Sequence, residues 1–323
     1  MNRTSGYRTG LGALALGCLL LAGGLPPAAA NGEDTSADGI AAMIDQVAAA
    51  DVTVPTATLG GDAVVASGDQ VITVPAEGSG EIVIESQAGI TVPIGLPSDV
   101  ADASHRVAED GTVYYDAADS VDVAVQVLED AVRIITILDD ATAPTEYEYS
   151  FGEFTPRLNA DGSATLTYVG SGFTAEMGQI EAPWAVDRNG TPVPTSYSVS
   201  GNSIIQVVDH TSGDYAYPII ADPQYGYGWA FYVFFNRAET ATIATMGWGV
   251  AVLSAACGYA GQVVLGPAGA AAGVAACAIV SGTIVYQAGV AQNSSPKRCL
   301  RLAFPWALQP IPNAATYLDS RCR

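Results

Sequence analysis

The side chains with most chemistry to offer are two histidines, His105 and His210, and four cysteines, Cys257, Cys277, Cys299 and Cys322. His210 follows Asp209 directly, which invites a hydrolase reading. A serine nucleophile, however, needs a general base oriented by a third group, and sequence adjacency does not supply that geometry. No Gly-x-Ser-x-Gly elbow precedes a helix, and no His-Glu-x-x-His or paired-cysteine metal site is present. The segments Glu109-Asp110-Gly111 and Asp187-Arg188-Asn189-Gly190 combine acids with glycine, but neither offers the six or more spaced oxygen ligands that calcium requires. They read as hairpin turns. No catalytic residue, cofactor or metal is therefore expected. An extracellular hydrolase built on Asp209 and His210 is the minority reading, beside a structural strand-end role for His210.

The cysteines point to oxidative crosslinking, because the N-terminus reads as an export signal. Arg3 and Arg8 precede an apolar run from Leu11 to Leu25, followed by Pro26-Pro27 and the small-residue site Ala28-Ala29-Ala30. Cleavage after Ala30 is expected, giving a secreted, extracellular protein. Cys18 lies inside the apolar run, in a poor context for lipid attachment. Four cysteines remain in the mature chain, an even number in an oxidising compartment, which implies two disulfides.

The elements that must hold these cysteines begin with a long neutral stretch. Thr240 to Pro296 is 57 consecutive uncharged residues, divided near the middle by Gly266-Pro267. It reads as a hairpin of two apolar helical arms, each long enough to cross a bilayer. Cys257 and Cys277 each lie ten residues from Pro267, so the two sulfurs stand at the same height in such a hairpin. Gly269, Gly273, Cys277 and Ser281 recur every four residues on one arm, while Ser254, Cys257, Gly258 and Gly261 share a face of the other. Small residues at this spacing let backbones approach as closely as a disulfide needs. The pairing that follows is Cys257 with Cys277 and, by elimination, Cys299 with Cys322; the other two connectivities stay open. The second bridge would close a proline-rich loop, Phe304-Pro305-Trp306 to Pro310-Ile311-Pro312, rigid and irregular or strand-like.

Charge divides the chain sharply. The net charge is −21, but residues 31 to 222 alone carry −27, whereas 223 to 323 carry +4. This asymmetry suggests a signal peptide at 1–30, a helix and linker at 31–60, an acidic antiparallel β domain at 61–222 and a C-terminal module at 223–323. A surface this acidic repels nucleic acid, so no nucleic-acid partner is expected. The acidic region shows a short helix capped by Ser36 or Asp38, with Ile40, Met43, Ile44 and Val47 on one face. After it come many short period-two strands punctuated by Gly60-Gly61, Asp110-Gly111, Asp161-Gly162, Asn189-Gly190 and Gly201-Asn202. The fold class expected is α+β: an antiparallel β-sandwich-like domain followed by a disulfide-linked helical hairpin.

The run Pro183-Trp184-Ala185-Val186-Asp187, then Pro192 to Tyr197, Val208-Asp209-His210, Tyr217-Pro218 and Ala221-Asp222-Pro223, resembles a segment of exported actinobacterial proteins of unknown function. Phe235 to Thr240 and Lys297-Arg298-Cys299 are similar to the same group. The resemblance covers about the second half of the chain. It implies secretion and a boundary near Asp222, and brings no established activity.

Two functional readings lead. In the first, the hairpin interacts with membranes, an antibacterial action being one form of this, and the acidic domain keeps it soluble. Its contact residues would be Lys297, Arg298 and Arg301, which form a positive rim beside Arg237, together with Trp229, Phe231 and Phe234 of an aromatic belt at 225–235. An anionic membrane is the partner this implies. In the second, the hairpin is buried against that belt in an extracellular structural or binding protein with a cell-surface partner. Oligomeric state is not legible in the sequence.

Overall fold

A computed structural model describes residues 36–55, 57–59, 61–68, 70–86, 91–117, 120–227, 230–305, 311–319 and 321–323. The expected signal peptide, together with Trp229, Trp306 and Pro310, lies outside them.

The described chain opens on α1 (Ala37–Ala48), where Ser36 Oγ accepts the Gly39 amide at 3.1 Å as the expected N-cap. An antiparallel meander follows: β1 (Ala57–Leu59), β2 (Asp62–Ser67), β3 (Gln70–Val74), β4 (Glu81–Ser86) and β5 (Thr91–Gly95), hydrogen-bonded in sequential order. Strict alternation sets which face is inside, so that Ile82 and Ile84 are buried while Glu81 and Glu85 are exposed.

Next come β6 (His105–Val107), β7 (Val113–Tyr115), β8 (Val121–Val127) and β9 (Ala131–Leu138). β8 and β9 are buried on both faces, which suits the β-branched run Ile134–Ile137 of β9, whereas β8 alternates valine with Asp122, Ala124 and Gln126. Val123, Val125 and Ile134 point into the main core, whereas Ala124, Ile135 and Ile137 meet Ile40 and Ile44 of α1 on the other side. α1 is thus the cover for the back of this sheet.

The chain continues through β10 (Glu146–Ser150), β11 (Thr155–Leu158), β12 (Ala164–Gly170), β13 (Phe173–Ile180) and β14 (Ala185–Asp187), then the hairpin β15 (Thr195–Ser200) and β16 (Ser203–Val208). β10, β16 and β15 form a separate three-stranded sheet. Gly111, Gly162, Gly190 and Gly201, at the expected turns, all take positive φ. The acids beside them cap backbone: Asp110 accepts the Thr112 amide, Asp161 the Ser163 amide, and Asp187 those of Asn189 and Thr191.

β17 (Ile219–Ala221), β18 (Gln224–Gly226) and β19 (Ala230–Phe234) then return to the large sheet. β17 and β18 pair in succession with β9, and β18 and β19 pair in succession with β13. Four helices follow: α2 (Arg237–Met246), α3 (Ala251–Leu265), α4 (Ala270–Ile279) and α5 (Ser281–Asn293). The hairpin of β20 (Cys299–Pro305) and β21 (Asn313–Tyr317) completes a sheet of 13 strands by pairing β20 with β19. The loop closed by the second disulfide is therefore strand-like on both sides.

The fold is α+β, with antiparallel sheets and a C-terminal helical region, as the sequence implies. Two expectations need correction. The change of composition at Asp222 is not a structural boundary: Asp222 sits between β17 and β18 of one sheet, and Asp34 to Arg323 form one compact unit. Backbone pairing follows strand register and core burial, and is indifferent to the surface charge that changes there. Nor is either arm of the neutral hairpin a single helix. A 84° bend separates Arg237–Gly249 from Ala251–Val263, and a 68° bend separates Pro267–Ile279 from Ser281–Asn293. Among the described residues no single helix is long and apolar enough to cross a membrane.

Candidate interaction surface

The helical region begins with a capping box. Asn236 Oδ1 accepts the Glu239 amide at 2.9 Å, and Glu239 Oε2 accepts the Asn236 amide at 2.6 Å, which fixes the start of α2 and marks the edge of the uncharged stretch. Gly247, at φ 72°, ends α2, and Gly266, at φ 75°, ends α3 just before Pro267. The hairpin therefore turns where expected, between α3 and α4.

Close contact of α3 and α4 depends on absent side chains. A Cβ on Gly273 would lie 2.1 Å from the Cys257 carbonyl oxygen, and one on Gly261 would lie 2.3 Å from that of Gly269. Cys257 and Cys277 are joined across this seam with Cα atoms 6.2 Å apart, both fully buried. Cys299 and Cys322 form the second disulfide, Cα atoms 5.5 Å apart, tying the end of the chain to β20.

One side of the hairpin faces the sheets. Leu253, Ala256, Ala260 and Val263 of α3 are buried, and Tyr259 stacks on Tyr168 of β12 at 4.2 Å with the rings 7° from parallel. Ile284, Ala288 and Ala291 bury the inner face of α5. The outer face is a different surface. Ile279 is 76% exposed, Tyr286 68% and Val290 39%, and the residues between them are alanine, glycine, serine and threonine or half-buried apolar groups, with one glutamine. Met246, at the end of α2, is also exposed. Tyr286, Gly289, Val290, Asn293 and Ser294 line a shallow groove of about 480 Å³ along α5.

Bases gather at the end of α5. Lys297 and Arg298 are exposed, and the Arg298 amide donates to Ala291 O at 2.9 Å. The side chain of Gln292 donates to Arg237 O at 3.2 Å, which brings the start of α2 to the same end. Arg301 points elsewhere, half-buried with its guanidinium 4.9 Å from the centroid of Tyr232. Phe231 and Phe234 are buried: Phe231 stacks on Phe304 at 5.1 Å, and Phe234 meets Tyr317 edge-on at 5.0 Å. Of the six contact residues read from sequence, Lys297 and Arg298 thus lie on the surface, while Phe231 and Phe234 are core. The exposure of Ile279 and Tyr286 is not legible in the sequence, because an unbroken neutral stretch shows no polar face from which to infer the outer side.

His210 is 1% exposed, with Nδ1 2.7 Å from Tyr217 Oη and Nε2 3.2 Å from Pro144 O. Both ring nitrogens are occupied within the protein, which suits a structural role. A cleft of about 410 Å³ on the sheet, floored by Gly178 and Gly226, is walled by Asp130, Glu176 and Glu181. Glu176 there pairs with Arg157 at 3.7 Å and with Arg321. Among the described residues no cluster of three or more histidine, cysteine or carboxylate side chains could hold a metal.

Comparison with known families finds no matching family model, and none of the curated proteins matches. Among solved structures, a mutant of a glycoside hydrolase family 81 enzyme from Clostridium thermocellum aligns with 53% of this chain at 13% identity and a TM-score of 0.31. This chain covers 24% of that enzyme, and a likeness so slight carries no argument about fold or activity.

Proposed function

We propose that this is an exported, non-enzymatic protein that lies on anionic membranes through the outer face of α4 and α5, with the acidic sheets keeping it soluble. The observation that carries this reading is a charge-free helical face that leaves Ile279 and Tyr286 in water and is followed directly by exposed Lys297 and Arg298. Such a pairing suits the boundary between headgroups and acyl chains. The bent arms and the burial of α3 favour lying on the bilayer over crossing it.

The energies favour reversible association. Further burial of Ile279, Tyr286 and Val290 contributes about 1 to 2 kcal/mol each, and each nearby base about 1 kcal/mol, so the total is roughly 5 to 8 kcal/mol. The test is co-sedimentation of full-length, oxidised protein with phosphatidylglycerol vesicles. Binding is expected, and it should fall at least tenfold in Ile279→Asp/Tyr286→Asp without a change in melting temperature. Failure of the parent protein to sediment would remove the proposal. Dye release from the same vesicles distinguishes an antibacterial, perforating action from simple adhesion.

The buried inner face of α3 favours a second reading, an extracellular binding or structural protein whose hairpin serves only its own core. Partitioning of the whole protein into the aqueous phase of a detergent separation would select it.

A further inference from the structure

A buried polar cluster away from the helices joins the three-stranded sheet to the large one. Tyr197 of β15 and Gln206 of β16 stand directly opposite each other, on one face of their hairpin. Asp222 follows the last residue of β17 and is fully buried. Three oxygens here have no hydrogen-bond partner in the protein: Tyr197 Oη, Gln206 Oε1 and Asp222 Oδ2. Their neighbours are satisfied. Tyr149 Oη is 2.5 Å from Thr136 Oγ1, and Asp222 Oδ1 accepts the Trp184 amide at 2.8 Å. After burial itself, the Asp222 charge is the leading influence on the Tyr197 hydroxyl.

The charged groups facing Asp222 are Glu181, just past β13, and Arg133 of β9. Arg133 gives its Nε and Nη2 to Gln126 Oε1, at 3.0 and 2.6 Å, and its charge is felt also by Asp45 and Glu181. It is not a dedicated counterion for Asp222. A buried carboxylate oxygen with neither a donor nor a dedicated counterion favours the neutral, protonated acid.

We propose that the Asp222 carboxyl, fully buried with Oδ2 unpaired, stays protonated in the folded protein well above the ordinary carboxylate range, making this joint a pH-sensitive latch. Burial pushes the carboxyl up to about 7, and Glu181 adds to the rise, against the Trp184 amide and Arg133, which pull it down. The latch holds more than itself. Asp222 also donates its amide to Trp184 O at 3.3 Å, and Trp184 packs with Val186 against the cluster that seats α1.

The sign follows from linkage. Between the ordinary aspartate value near 4 and about 7, the folded state binds more protons than the unfolded state, so stability falls as pH rises through that window and levels off above it. Asp222→Asn keeps the Trp184 contact and a donor but cannot ionise. Urea unfolding of the full chain should therefore show the wild type losing stability relative to D222N from about pH 4 to pH 8, by on the order of a hundred- to a thousandfold in the unfolding constant. Infrared spectra of the native wild type should show a protonated carboxyl band that vanishes through about pH 7. Asp139, which burial raises to about 6, is identified separately with Asp139→Asn. Parallel stability profiles for wild type and D222N would overturn the latch. Should D222N not fold, the wild-type band decides: a spectrum with only ionised carboxylate at about pH 6, once Asp139 is accounted for, overturns it equally.

Discussion

Glycine in this protein has two opposite roles, and single substitutions distinguish them. Gly273 is where α4 presses on α3, and its added methyl would meet the Cys257 carbonyl oxygen at 2.1 Å and the Gly261 Cα at 2.5 Å. Gly282, in the first turn of α5, has nothing within 4 Å of the same position. Gly273→Ala should destabilise by about 2 kcal/mol, because overpacking outweighs the gain in helix propensity. Gly282→Ala should be neutral or stabilising by up to about 1 kcal/mol. Denaturant midpoints of the two variants check the contrast, and equal shifts would mean that the seam is not tightly packed. Both glycines look alike in the sequence; four-residue spacing with Cys277 singles out Gly273, and nothing comparable marks Gly282.

The helical hairpin is held by one covalent link whose contribution can be measured. The Cys257–Cys277 disulfide closes a loop of 20 residues, for which the chain-entropy model gives about 3 kcal/mol. Cys257→Ala/Cys277→Ala should lower stability by about that amount, read from urea unfolding, while β20 and β21 stay ordered through Cys299–Cys322. This element was largely legible in advance: the equal distance of both cysteines from Pro267 and the small-residue stripes set the seam, the turn and the pairing. The bends were not, since Gly247-Trp248-Gly249 and Val280-Ser281 interrupt the arms without any charge or proline to announce them. Turns of the β region were equally readable, because an acid followed by glycine needs a left-handed position and offers its own cap. Which strands lie side by side was not, since β13 finds β19 and β9 finds β18 across about 60 and 90 residues, and local pattern is silent about distant partners.

At the level of the whole molecule, composition and architecture disagree, and the disagreement is testable. Charge asymmetry places a border at Asp222, yet the strands on either side of that residue both pair with β9. A chain ending at Asp222 would leave β13 without β18 and β19, and would uncover Tyr168 and Phe173 where Tyr259 now packs. Residues 31–222 made alone should aggregate or lack a cooperative melting transition, whereas 31–323 should melt as one unit. Calorimetry decides, and a cooperative, soluble fragment would show that the two regions are separable after all. Acidic and basic regions are also joined directly, since Arg321 near the C-terminus pairs with Glu176 of β13. The buried hairpin face and the shared sheet together explain why neither half should be stable in isolation.

The place of β20 in this sheet governs when the protein can fold at all. A nascent chain emerging from the ribosome cannot close the interior until its final thirty or so residues have been translated, because β19 waits for β20, and Phe231 for Phe304. With so many partners remote in sequence, acquisition of the native state is expected to be slow and post-translational. A polypeptide that stays unfolded throughout its own synthesis remains threadable, the condition any narrow translocation pore imposes on its cargo.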